Sequence, residues 1–190
     1  MKWIAAAVIA LLTHSAYAIK PTEADFQRWS DNWDRLIPLG VYDFIPETLT
    51  FEEAMTDEFQ RKLDEAAVQL NPKLQNQIIE LAGYMVPMAF DGERVTEFLL
   101  VPEAGQCVHV PPPPVNQTVL VHTPTQPVEL RHLYQPITVT GTLSVGQQSF
   151  DLADTGYTLT RVTVDTIELD PSEIAIPPGA DGELYYQPQE

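Results

Sequence analysis

Cysteine and histidine two residues apart, Cys107 and His109, are the side chains of this sequence best suited to chemistry. A thiolate and an imidazole are the ligands that zinc and copper prefer over the hard oxygen donors chosen by magnesium or calcium. Both lie in Gly105-Gln-Cys-Val-His-Val-Pro-Pro-Pro-Pro-Val-Asn-Gln117. On an extended backbone side chains alternate, so the pair would project from one face about 7 Å apart along the strand. His122 and His132 follow, and a surface carboxylate such as Glu103 is available to complete a tetrahedral set. The candidate metal ligands are therefore Cys107, His109, His122 and His132, with Zn2+ as the candidate ion. Their spacing matches no zinc-finger pattern.

The same residues have other readings. A cysteine nucleophile needs its histidine base within about 2.6 to 3.2 Å, a distance that neighbours two apart on one strand rarely reach. There is no Gly-x-Ser-x-Gly, no His-Glu-x-x-His and no phosphate-binding glycine loop, so no catalytic residue is assigned and the chain does not read as an enzyme. Without a metal, Cys107 becomes a small buried apolar residue. The segment around it then becomes a protein-binding loop stiffened by Pro111 to Pro114, which favour the polyproline II conformation. Asn116 and Gln117 would close that loop by bonding its bare carbonyls.

The elements that must position these residues are mostly strands. Ile78 to Met88 is nearly continuously apolar, Asp91-Gly92 is a two-residue hairpin signal, and Thr96 to Val101 returns. Further strands are expected at Cys107 to Val110, Thr118 to His122, Ile137 to Val145 and Tyr157 to Leu169. Gly83 and Gly141 interrupt strand patterns, as the sharp bends of a small closed barrel require. Upstream, Thr22 with Asp25 and Thr50 with Glu53 have capping-box spacing. Trp29, Trp33, Leu36 and Ile37 give an apolar helical stripe ended by Pro38 and Gly40, and a second helix is expected from Phe51 toward Leu70. The fold class expected is mainly β within an α+β arrangement: a small antiparallel, OB-like barrel preceded by N-terminal helices. Tyr84, Phe90 and Phe98 would line a binding face or fill the core.

The first residues carry Lys2, an apolar run from Trp3 to Leu12 and the triplet Ala16-Tyr17-Ala18, the pattern of a secretory signal peptide cleaved after Ala18. The apolar run falls short of the roughly 20 residues that span a bilayer, and no transmembrane segment is expected. The organisation expected is a signal peptide over 1–18, a helical segment over 19–72, a barrel-like domain over 73–170 and a flexible tail over 171–190. The mature protein would be free in the periplasm. With one cysteine it has no internal disulfide, so a packed core must hold it together. Its net charge of −17, one unit more negative without Lys2, repels nucleic acid and anionic lipid and favours cations. An envelope protein is the natural macromolecular partner.

Four separated motifs, Gly83-Tyr-Met-Val-Pro-Met88, Phe98-Leu-Leu-Val-Pro102, the Gly105 to Gln117 stretch and Gly141-Thr-Leu143, resemble an uncharacterised family of bacterial exported proteins, domain of unknown function 3299. The resemblance spans roughly residues 74 to 165. It implies a periplasmic protein or lipoprotein, often encoded beside components of ATP-binding-cassette transporters and in some cases in zinc-responsive settings. The function implied is an accessory protein that binds a transition metal and supports metal transport through contact with a transporter component. The alternative is a metal-independent periplasmic interaction scaffold.

Overall fold

The chain enters its first helix, α1 (Glu23–Asp34), through the Thr22/Asp25 capping box. The Thr22 hydroxyl accepts from the Asp25 backbone N–H at 3.3 Å, and the Asp25 carboxylate accepts from the Thr22 N–H at 2.8 Å. These bonds satisfy donors that a helix start otherwise leaves bare. Trp29 and Trp33, four apart and so on one face, are buried. The computed structural model describes residues 18–107 and 111–169. The expected signal peptide, apart from Ala18, and the expected tail lie outside the described residues, as does His109.

The helix expected over Phe51 to Leu70 is two helices, α2 (Phe51–Ala54) and α3 (Asp57–Ala67). The break is at Thr56, whose hydroxyl donates to the Glu53 carbonyl and accepts from the Phe59 N–H, closing one helix and capping the next. The periodicity runs through this point unbroken, so only the threonine marks it.

The remaining elements are strands: β1 (Ala18–Ile19), β2 (Ile78–Asp91), β3 (Arg94–Val101), β4 (Val119–His122), β5 (Val128–Glu129), β6 (Pro136–Ser149) and β7 (Asp154–Ile167). Short 3-10 turns precede β2 at Pro72–Leu74 and β4 at Val115–Gln117. The protein is mainly β, and its seven strands form one mixed sheet in the order β1-β7-β4-β3-β2-β6, with β6 also pairing β7 and β5 pairing β3. The expectation of a purely antiparallel sheet is corrected here, because β4 pairs β7 in parallel, and so does β1. A parallel neighbour needs a long crossover, and β5 and β6 provide it between β4 and β7.

The β2/β3 hairpin pairs Asp91 with Arg94, so its two loop residues are Gly92 and Glu93, one position later than the Asp-Gly reading. Gly92 has φ 59° at the first loop position and Glu93 is not left-handed, the pattern of a type II′ turn. β2 changes partner at Tyr84, pairing β6 before it and β3 after it. A Cβ on Gly83 would lie 2.4 Å from the Val101 carbonyl oxygen, which is why the pivot carries glycine.

β3 is buried on both faces. Phe98 and Leu100 enter the main core with Met85, Val119, Val121, Ile137 and Tyr157, and Trp33 and Leu36 join the same cluster. Leu99 and Val101 enter a second cluster on the other face with Val86, Leu120 and Ala153. Phe98, one of the aromatic residues considered for a binding face, is therefore core.

Candidate functional site

The Cys107 backbone has φ 64°, left-handed rather than extended, and follows Gly105 at φ 83°. This corrects the strand expected from Cys107 to Val110 at its first residue, and with it the alternation argument that aimed Cys107 and His109 from one strand face. Cys107 is half-buried against the second core cluster with Tyr84 and Met88, and burial pushes its thiol above the ordinary value. Its environment favours a neutral thiol over the thiolate that a nucleophile uses.

His122 stands on the exposed face of β4 directly opposite Glu97 on β3, with Nδ1 2.9 Å from the carboxylate. His132 lies in the loop before β6, its Nδ1 accepting from the Tyr134 N–H at 3.3 Å and its ring tilted against the Tyr134 ring. Among the described residues no group of three or more histidine, cysteine, aspartate or glutamate side chains is placed to hold a metal ion. Cys107, His122 and His132 therefore do not form a site by themselves.

The proline motif acts elsewhere. Thr118 bonds the carbonyls of Pro113 and Pro114 with its hydroxyl, and Gln117, as expected, bonds the Pro114 carbonyl, through its backbone N–H at 2.8 Å. The fully buried Asn116 instead donates its amide to the carbonyls of Ala66 at 2.9 Å and Gln69 at 3.3 Å, where α3 ends. Gln117 donates to the Trp33 carbonyl at 3.1 Å near the end of α1. Tyr157 on β7 donates its hydroxyl to the Leu36 carbonyl and accepts from the Asn71 N–H. The Trp33 and Ala66 carbonyls also accept the backbone N–H groups of Leu36 and Gln69, so the Gln117 and Asn116 side chains add a bond from the sheet to each helix end.

On the opposite edge α1 seals β2. Asn32 donates to the Glu80 carbonyl and Trp33 Nε1 to the Ala82 carbonyl, covering the edge that β2 exposes before it reaches β3. The Glu80 carboxylate accepts from Trp29 Nε1 at 2.7 Å and from the Arg28 guanidinium at 2.9 Å. Between α1, the Tyr84 pivot, the Pro102–Glu103 turn and the end of β7 at Ile167 and Leu169 lies a groove of about 360 Å3. Phe26, Trp29, Trp33 and Tyr84 give it an aromatic lining, and Asp34 and Glu103 give it carboxylates. Sequence reasoning singled out the Trp29/Trp33 stripe but not Phe26 or Asp34. Phe26 is legible one turn earlier on the same stripe, whereas the role of Asp34 depends on which loop faces it.

A second exposed feature lies in the helical segment. Leu39, Ile45, Leu49, Phe51 and Met55 are exposed, with Leu39 at 100%, Phe51 at 78% and Met55 at 59% of full accessibility. Five exposed large apolar residues thus fall between residues 39 and 55, while Phe26, Val68, Ile78, Phe90 and Leu152 are exposed singly elsewhere. Among the described residues no helix is long and apolar enough to cross a membrane.

Residues 33–166 match the model of a family described as "protein of unknown function (DUF3299)". A crystal structure of a DUF3299 family protein from Pseudomonas aeruginosa PAO1 is similar at 35% sequence identity and a TM-score of 0.56, covering 73% of this chain and 95% of that one. No curated protein matches.

Proposed function

Since the chain belongs to the DUF3299 family, whose function is unknown, we propose from its geometry that it is an exported, metal-independent interaction module that docks onto an envelope protein. The observation that carries this reading is the exposed apolar run from Leu39 to Met55. Exposed apolar surface of this kind costs solubility and is kept where a partner covers it. Glu52, Glu53, Asp57 and Glu58 interleave with it, and the neighbouring cations Lys62 and Arg61 are already paired with Glu58 and Glu65. The fitting partner is therefore a protein with an apolar patch rimmed by lysine or arginine. A second copy of this acidic chain and an anionic lipid surface are both repelled.

Support for the OB-like barrel comes from the strand circuit β2-β3-β4-β7-β6, which returns to β2, with the parallel β4/β7 pairing inside it. Export rests on the Lys2, Trp3-to-Leu12 and Ala16-Tyr17-Ala18 pattern. Metal independence is supported by the half-buried, protonation-favouring surroundings of Cys107 and by the engagement of His122 with Glu97.

Two measurements test the reading. Immobilised mature protein, incubated with native envelope extract, is expected to retain a partner that is lost with Phe51→Asp, Met55→Asp and released by salt; equal retention by the variant overturns the docking surface. Calorimetric titration of the reduced protein with Zn2+ is expected to give no saturable binding, and saturable binding abolished by Cys107→Ser overturns metal independence.

A further inference from the structure

The groove beside α1 combines two properties that point to one class of ligand. Its lining includes four aromatic side chains, of which Phe26 is 49% exposed and Trp29 and Trp33 show only a sliver of their rings. Both indole N–H groups are spent inward, on the Glu80 carboxylate and the Ala82 carbonyl. The tryptophans thus offer a ligand only a little ring carbon, and the half-exposed Phe26 ring is the larger aromatic surface able to attract an organic cation.

The charged groups lining the groove are two carboxylates from separate elements, Asp34 at the end of α1 and Glu103 in the turn after β3, and no lysine, arginine or histidine lines it. Arg28, the nearby cation above Trp29, is bound to both Asp25 and Glu80. Among the described residues neither carboxylate has an ion-pair or side-chain hydrogen-bond partner, since Glu103 uses only its backbone N–H, toward Gln106. Asp34 occupies the last turn of α1, where the helix dipole disfavours negative charge, and the guanidinium of the adjacent C-cap Arg35 is bonded to Asn32 and Gln77.

We propose that this groove binds an aliphatic diamine or polyamine, with its ammonium groups on Asp34 and Glu103 and its methylene chain across Phe26, Trp29 and Tyr84. A groove of about 360 Å3 suits a small organic molecule, and such sites are mostly apolar with a few placed polar groups. A hydrated metal dication lacks the apolar stem that the aromatic lining rewards, and an organic anion meets two carboxylates with no cation to balance it. The chain's net charge of −17 also draws cations toward the site. The inference does not depend on the docking surface of the helical segment, which lies on other residues.

The test is a titration of the mature protein with putrescine, cadaverine and spermidine at about 0.15 M salt, where long-range attraction is screened beyond about 8 Å. Tryptophan fluorescence and calorimetry are the readouts. Saturable binding is expected, weakened about two- to fivefold by each of Asp34→Asn, Glu103→Gln and Phe26→Ala, because a cation–π contact or an exposed ion pair is worth roughly 0.5 to 1 kcal/mol. Mg2+ and 1,4-butanediol, which keep only the charge or only the stem, are expected not to compete. All three substituted side chains are exposed, so the variants should fold, and thermal unfolding checks that they do. Absence of saturable binding, equal affinity in the three variants, or displacement by Mg2+ at matched concentration each overturns the proposal.

Discussion

The Asn116 amide, buried in the turn before β4, donates to the carbonyl of Ala66 at the end of α3, 50 residues earlier in the chain. Together with Gln117 on Trp33 and Tyr157 on Leu36, it joins the helical segment to the sheet through carbonyls at and just beyond the helix ends.

Loss of these bonds should be costly because Asn116 and Tyr157 are themselves fully buried. Asn116→Ala removes the donor to Ala66 and Gln69, and Tyr157→Phe removes the bridge between Leu36 and Asn71. Each is expected to lower unfolding stability by about 1 to 3 kcal/mol, the cost of a buried polar group left without its partner. Urea unfolding followed by tryptophan fluorescence and by far-ultraviolet circular dichroism measures it. A change below about 0.5 kcal/mol, the range of ordinary surface substitutions, would show that the clamp is not a stability element.

The α1 cap has a defined acid limb. Asp25 is lowered from the ordinary 3.8 to about 2, first by the Thr22 hydroxyl, then by the Thr22 backbone N–H and then by Arg28. A carboxylate depressed in the folded state contributes stability above its unfolded value and loses it as pH falls through the folded one. The stability gap between the native protein and Asp25→Asn should therefore be constant at neutral pH and close between about pH 4 and pH 2. Circular dichroism of the two proteins across that range tests it, and a gap that persists at the lowest pH would show that the cap acts through something other than the charge.

Cys107 should behave as a packed thiol. Burial beside Tyr84 and Met88 raises it, so alkylation at pH 8 is expected to be several-fold slower than that of free cysteine and to reach the free rate in denaturant. Replacement by serine should cost on the order of 1 kcal/mol, in line with a hydroxyl exchanged into partly apolar surroundings. Alkylation as fast as that of free cysteine in the native state would place the thiol in an activated environment after all.

Local features were legible from the residues alone. The Thr22/Asp25 and Thr50/Glu53 caps form as expected, because a capping box needs only a hydroxyl and a carboxylate at fixed spacing. The spans of β2 and β3 were legible from their apolar runs, yet the turn between them shifted by one residue because Gly92 supplies the left-handed position that the hairpin needs first. The strand through Cys107 failed because the backbone turns there, and no apolar pattern encodes that turn.

By itself the sequence determined the two capping boxes, the spans of β2 and β3, the mainly β character and the strong negative charge, all of which follow from periodicity, caps and composition acting over a few residues. Only the tertiary structure decided what the singled-out side chains do, because partners such as Asn116 and Ala66, or Asp34 and the Glu103 turn, lie far apart along the chain and meet through the order in which strands pair. The stretch that ends in the prolines, Asn116 and Gln117 holds the helical segment through its last two residues, and the groove with free carboxylates formed where α1 covers the edge of β2.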